Sequence, residues 1–139
     1  MGESESIQAS FKPTIAVAVP ENSTAAETRK AARILLELKV DLLLFVGGDG
    51  TARDILDAVD MNVPVLGIPA GVKMNSAVFA INPREAGTIT IRFLHGELPM
   101  KDGEVMDIDE DAYRAGRLSA RLYGYMKTPY DKILLQGTK

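Results

Sequence analysis

The sequence predicts an α/β fold, a three-layer sandwich with a mainly parallel sheet, and three observations predict it. Apolar runs of strand length alternate with stretches of helical periodicity. The runs carry no polar interruption, as in strands covered on both faces. A glycine cluster falls at the exit of one run, where parallel sheets with right-handed crossovers keep their functional loops.

In chain order, residues 1–10 are a polar lead expected to be disordered, and residues 11–139 are expected to form a single α/β domain. Residues 14–19 (TIAVAV), closed by Pro20, are predicted to be a buried strand. Thr24 and Glu27 stand at capping-box spacing before a stripe of Ala31, Ile34, Leu35 and Leu38, so a helix follows. Asp41 turns the chain into residues 42–46 (LLLFV), a second strand. After the glycines, Ala52, Ile55, Leu56 and Val59 repeat the helical stripe, and residues 63–68 (VPVLGI) read as the next strand. Asn82, Pro83 and Glu85 supply a cap, a proline at the first helical position and an acid three residues after the cap, opening a helix to about Phe93. Residues 104–108 read as a strand. Residues 109–125 fit a helix in their first part and a strand where Leu118, Ala120 and Leu122 alternate, and the final ILLQGTK reads as the start of another strand.

At 139 residues, 46% hydrophobic and 25% charged, the chain has the length and composition of one soluble domain. Sixteen Lys+Arg against 19 Asp+Glu leave a net charge of -3 and no electrostatic footprint for nucleic acid. No run is long enough to cross a bilayer, so no membrane partner is expected. The absence of cysteine excludes disulfides and thiol chemistry, and a single histidine, His95, leaves no His-rich metal site; a cytoplasmic location fits both.

The sharpest stretch is FVGGDGTARD at residues 45–54. Asp49-Gly50 is a favoured hairpin pair, so a plain turn between antiparallel strands is one reading. A solid apolar run before it and a helical stripe after it favour another: strand, glycine loop, helix N-terminus, an arrangement that suits a phosphate. Neither GxGxxG nor GxxxxGK[ST] occurs here. A carboxylate in such a loop would repel the phosphate, so Asp49 requires an explanation.

GGDGT at residues 47–51 resembles the signature shared by NAD kinases, diacylglycerol- and sphingosine-type lipid kinases and phosphofructokinases. Taken with GIPAGVKMNSAVFA and EVMDIDEDAYRAGRLSARLYGY, it resembles the prokaryotic ATP-NAD kinase branch, from about Ser23 to the end. That resemblance implies an NAD kinase N-terminal-domain-like, nucleotide-binding fold. It also implies a phosphotransferase using ATP or polyphosphate as donor, Mg²⁺ as cofactor and a nucleotide such as NAD as acceptor, forming NADP. By matching position Asp49 would be catalytic, facing the acceptor hydroxyl as general base or helping to hold Mg²⁺. Gly47, Gly48 and Gly50 would let the backbone approach the phosphate while Thr51 donates to it, and Gly71, Lys73, Asn75 and Ser76 would line the same crevice. No residue set stands out as a dedicated metal site.

The chain departs from that pattern in having no Asn-Glu dipeptide and in carrying AGVKMNS where a glycine-Phe-Leu segment is usual. It is expected to lack a downstream β-rich domain, and so to self-associate or to need a complementary chain. The alternatives are a non-catalytic nucleotide-binding or partner-dependent module, and a lipid kinase-like domain. Arg53 and Asp54 are expected to form an exposed pair, and Asp107, Asp109, Glu110 and Asp111 a solvated acidic face. His95 is expected at a helix C-terminus, and Tyr113, Tyr123, Tyr125 and Tyr130 are read as packing residues that could also stack on adenine.

Overall fold

The computed structural model describes residues 2–18, 20, 22–71, 73–108, 114, 116 and 119–136. Expectations for Val19, for Asp109, Glu110 and Asp111, for Tyr113 and for residues 137–139 fall outside them. The described elements are α1 (Glu3–Gln8), α2 (Ala25–Glu37), β1 (Leu43–Gly47), α3 (Asp49–Val59), β2 (Val65–Pro69), α4 (Pro83–Leu94), β3 (Met100–Ile108) and β4 (Ala120–Pro129).

The caps predicted from sequence start their helices. The Glu27 carboxylate accepts from the Thr24 backbone N–H at 2.8 Å and from the Thr24 hydroxyl, so α2 begins with a capping box. The Asn82 side chain accepts from the Glu85 N–H at 2.9 Å with Pro83 at the first helical position, so α4 begins where expected. The lead expected to be disordered contains α1, a six-residue helix that buries nothing.

β1 and β2 pair in parallel, Leu43 against Val65 through Gly47 against Pro69, which establishes the α/β class. Phe79 extends this sheet by a parallel bridge to Gly67. Helices flank both faces. On one face α2 and α3 close over Leu43, Phe45 and Val65, with Ala52, Ile55 and Val59 of α3 buried as the stripe requires. On the other, Leu66 packs with Ala86 and Ile89 of α4. Gly67 lies so close to Phe79 that an added Cβ would sit 2.3 Å from the ring, so Gly67→Ala would overpack the sheet at a cost of about 1–3 kcal/mol.

β3 and β4 form a separate antiparallel ladder, with a register shift between Val105 and Met106. It lies against α3: a Cβ on Gly124 would meet Leu56 at 2.7 Å. Val105 and Met126 from this ladder join the core under α3, so the two sheets share one interior.

Four expectations about the strands and the α2 stripe fail. Residues 14–18 form no strand, and Ile15 is 58% exposed; among the described residues β1 pairs with β2 alone and no ladder reaches residues 14–18, and β-propensity without a partner strand does not suffice. β1 is covered on one face only, since Leu44 and Val46 are 44% and 43% exposed where α4 reaches β2 instead. The α2 stripe is turned relative to prediction: Ala32, Leu35 and Leu36 pack inward and Leu38 is exposed, because α2 docks onto α3. Residues 133–136 make a turn and one bridge, Leu135 to Ala80, rather than a strand.

Candidate functional site

The parallel β1–β2 pair delivers two loops to the same edge. β1 ends at Gly47 and runs directly into α3, with Gly48 as its cap in an extended conformation. Lacking a side chain, Gly48 offers no oxygen to the first amides of α3, which leaves the positive end of the helix uncapped. Gly47 is forced by close approach, because an added Cβ would lie 2.3 Å from Thr51 Oγ1 and 2.6 Å from Thr51 Cβ. β2 ends at Pro69, the Ala70 N–H donates to the Gly47 carbonyl at 3.2 Å, and Gly71 turns with φ +123, a conformation that side chains resist.

Asp49 ties the two loops together. Its Oδ1 accepts from the Ser76 N–H at 2.8 Å and the Ser76 hydroxyl at 2.6 Å. The Asn75 N–H divides between the two oxygens, at 2.9 Å to Oδ2 and 3.2 Å to Oδ1, and Asn75 Nδ2 donates to Oδ2 at 3.1 Å. Ser76 is held from behind. Its Oγ accepts the Met106 N–H of β3 at 2.9 Å, which directs the hydroxyl hydrogen toward Asp49, and the residue is 1% exposed. Among the described residues no Lys or Arg pairs with Asp49 within 4.0 Å, and the groups they turn toward its carboxylate are N–H and O–H dipoles.

The structure thus gathers Gly47, Gly48, Asp49, Gly50, Thr51, Asn75 and Ser76 at the strand ends. Gly50 and Gly71 face open space, with nothing within 4 Å of an added Cβ, and Lys73 is exposed without an ion pair among the described residues. The result is an open rim rather than a deep pocket. A cavity of about 220 Å³ lies elsewhere, between β3 and the C-terminal turn, bounded by Lys101, Glu104, Tyr130 and Asp131.

Neighbouring charges are committed to the frame. Arg53 and Asp54 do not pair with each other: Asp54 takes Arg29 of α2 at 2.7 Å, and Arg53 reaches Asp107 of β3 at 3.1 Å. Asp107 is therefore ion-paired rather than part of a solvated face. The Tyr123 hydroxyl donates to Asp57 at 2.8 Å, and this hydrogen bond, with some desolvation, raises the phenol above its usual range. His95 caps the C-terminus of α4 as expected, and Tyr130 packs under Lys101, whose ammonium lies 4.9 Å from the ring centroid.

A model of the family described as the ATP-NAD kinase N-terminal domain matches residues 1–98. The chain belongs to the ATP-NAD kinase family. The matched span takes in both glycine loops, Asp49, the Asn75–Ser76 turn and α4. For an NAD kinase family chain, the coarse activity that follows is phosphotransfer of the NAD kinase type. No curated protein and no solved structure matches the chain.

Sequence reasoning collected the rim residues but missed how they are joined. That Asn75 and Ser76 point their amides at Asp49 depends on contacts between residues far apart in the chain, Ser76 being held by Met106 of β3, and no local pattern encodes it. Mg²⁺ chemistry fits this donor set in one way. Among the described residues no three acidic or His side chains cluster, and a magnesium ion held at this rim would share the Asp49 carboxylate with phosphate oxygens of a ligand.

Proposed function

We propose that this chain provides the phosphate-binding part of a phosphotransferase that moves a phosphoryl group from ATP or polyphosphate to a nucleotide such as NAD, giving NADP, with Mg²⁺ as cofactor. The observation that carries the proposal is the Asp49 carboxylate joining two glycine loops at the C-terminal ends of parallel strands, beside an uncapped helix N-terminus. In this reading Gly47, Gly48 and Gly50 admit the polyphosphate backbone, and Thr51 with the first amides of α3 donates to it. Gly71 turns the second loop, and Lys73, Asn75 and Ser76 contact the phosphates as point charge and hydrogen-bond donors. Asp49 faces the acceptor hydroxyl or shares Mg²⁺, and positioning with charge stabilisation supplies most of the rate. A cytoplasmic location belongs to the same proposal.

Calorimetric titration with ATP, NAD and polyphosphate, each with and without Mg²⁺, tests it beside Asp49→Ala. Mg²⁺-dependent ATP or polyphosphate binding that is weakened in the variant is the expected outcome. A folded protein that binds none of the three would refute the proposal.

The uncovered face of β1 favours a second reading, a module that binds nucleotide only with a partner or a second copy. Leu44 and Val46 are exposed on a strand that has no second partner among the described residues and carries neither charge nor proline. Light scattering on the purified chain separates the readings, because a monomer at all concentrations would remove the support for this one. A lipid-kinase-like acceptor is tested by adding diacylglycerol to the phosphotransfer assay.

A further inference from the structure

We propose that the donors of Asn75 and Ser76 form an anion cradle for a phosphoryl group, that Asp49 fills this cradle with its own carboxylate in the present conformation, and that a phosphorylated ligand takes the cradle by displacing it. The inference rests on the phosphotransferase reading above and specifies how its site opens.

The cradle has the chemistry of a phosphate site. Two consecutive backbone N–H groups, one hydroxyl and one side-chain amide converge on two oxygens at 2.6–3.2 Å. Ser76 is pre-set by the Met106 N–H and buried, so its part of the cradle keeps its shape whichever anion it holds. The Asn75 side is exposed, giving a ligand access to Oδ2 and to Nδ2. Gly50 and Gly71 leave open space at the rim on either loop.

The present occupant is exchangeable on electrostatic grounds. A carboxylate offers two acceptor oxygens and one charge, whereas a terminal phosphoryl group offers three oxygens and more charge to the same donors. No cation among the described residues anchors Asp49 in place. Rotation of one side chain in the first turn of α3 vacates the cradle. The displaced carboxylate then lies beside the phosphate, where the two repel in the absence of a divalent cation and attract through one. Removing Asp49 must therefore have opposite consequences in the two conditions.

Tripolyphosphate is the probe, titrated calorimetrically into the full chain in EDTA and again in excess Mg²⁺. Without Mg²⁺, Asp49→Ala is expected to bind about tenfold more tightly than the unaltered chain, because the internal competitor is gone. With Mg²⁺ the order reverses. Asn75→Ala, at an exposed position, loses the Nδ2 donor and should bind about threefold to tenfold more weakly in EDTA. In amide spectra of the unaltered chain, the Asn75 and Ser76 signals should shift on addition of tripolyphosphate, a readout independent of any variant's folding. Asp49→Ala binding equally or less well in EDTA, while the unaltered chain binds, would overturn the exchange and leave the wider site reading standing. Unmoved Asn75 and Ser76 amides in a chain that binds tripolyphosphate would overturn it as well. A folded chain that binds no tripolyphosphate in either condition would overturn both.

Discussion

Among the described residues two aspartates accept pairs of consecutive backbone N–H groups, and they differ in what balances their charge. Asp131 accepts from the Ile133 and Leu134 N–H groups at 2.8 and 3.0 Å, and its second oxygen takes Arg92 of α4 at 2.5 Å. The Ile133 N–H foremost, then the Leu134 N–H and Arg92, hold this carboxyl below its usual range against the opposing effect of desolvation. Asp49 accepts from Asn75 and Ser76 in a similar way but has no cation among the described residues. The first arrangement is closed, with charge and hydrogen bonds both satisfied inside the fold, and it pins the C-terminal turn to α4. The second is satisfied in hydrogen bonds with no cation beside it among the described residues, and it sits at strand ends where a ligand can arrive. Similar local chemistry thus serves as a fastener in one place and as a latch in the other.

The largest expected effect tests the fastener. Asp131→Ala removes the acceptor of two backbone N–H groups and leaves Arg92, among the described residues, with Glu97 at 3.4 Å, so chemical denaturation should register a loss of about 2–3 kcal/mol. Tripolyphosphate should not restore it. Asp49→Ala should cost somewhat less, about 2 kcal/mol, because water can reach the exposed Asn75 N–H, and here tripolyphosphate should recover part of the loss in a thermal-shift series. Equal rescue of both variants would erase the distinction between them.

Ser76→Ala is the next step down, at about 1–2 kcal/mol by denaturation, since it strands the Met106 N–H next to a buried site. Rescue by Ser76→Thr should be partial, the hydroxyl being retained in a place with little room for a methyl group.

The smallest effect is in pH. The folded carboxyl of Asp131 titrates below its ordinary value of 3.8, so its contribution is fully present above that value and is lost as pH falls through the folded one. In an acid series Asp131→Asn should therefore flatten the stability profile below about pH 4. An unchanged acid limb would mean that the turn at residues 131–136 contributes little to global stability.

Local signals in the chain were legible where the physics is local. Thr24 with Glu27, and Asn82 with Pro83, start helices because a cap needs only residues within one turn. The stripe Ala52, Ile55 and Val59 was readable because α3 lies between two sheets and its inner face is fully covered. α2 was misread by about one residue of rotation, since its inward face is chosen by contact with α3, and Arg29 to Asp54 is a choice between two helices. Residues 14–18 were misread because strand propensity becomes a strand only beside a partner with free backbone groups. The antiparallel β3–β4 ladder was half legible: residues 104–108 read as a strand, and the ambiguity from 109 onward concealed its partner.

The sequence by itself determined the α/β class, the starts of α2 and α4, the glycine loop at a strand exit and the family to which the chain belongs, because each depends on residues adjacent in the chain. Tertiary structure alone decided that the Asp49 carboxylate points into the Asn75–Ser76 turn and that Ser76 leans on β3. Those contacts join residues 26 to 30 positions apart, and their geometry follows from how two sheets pack about α3. Hydrogen bonds reach about 3 Å, so such a site exists only where the packed backbone brings the groups that close.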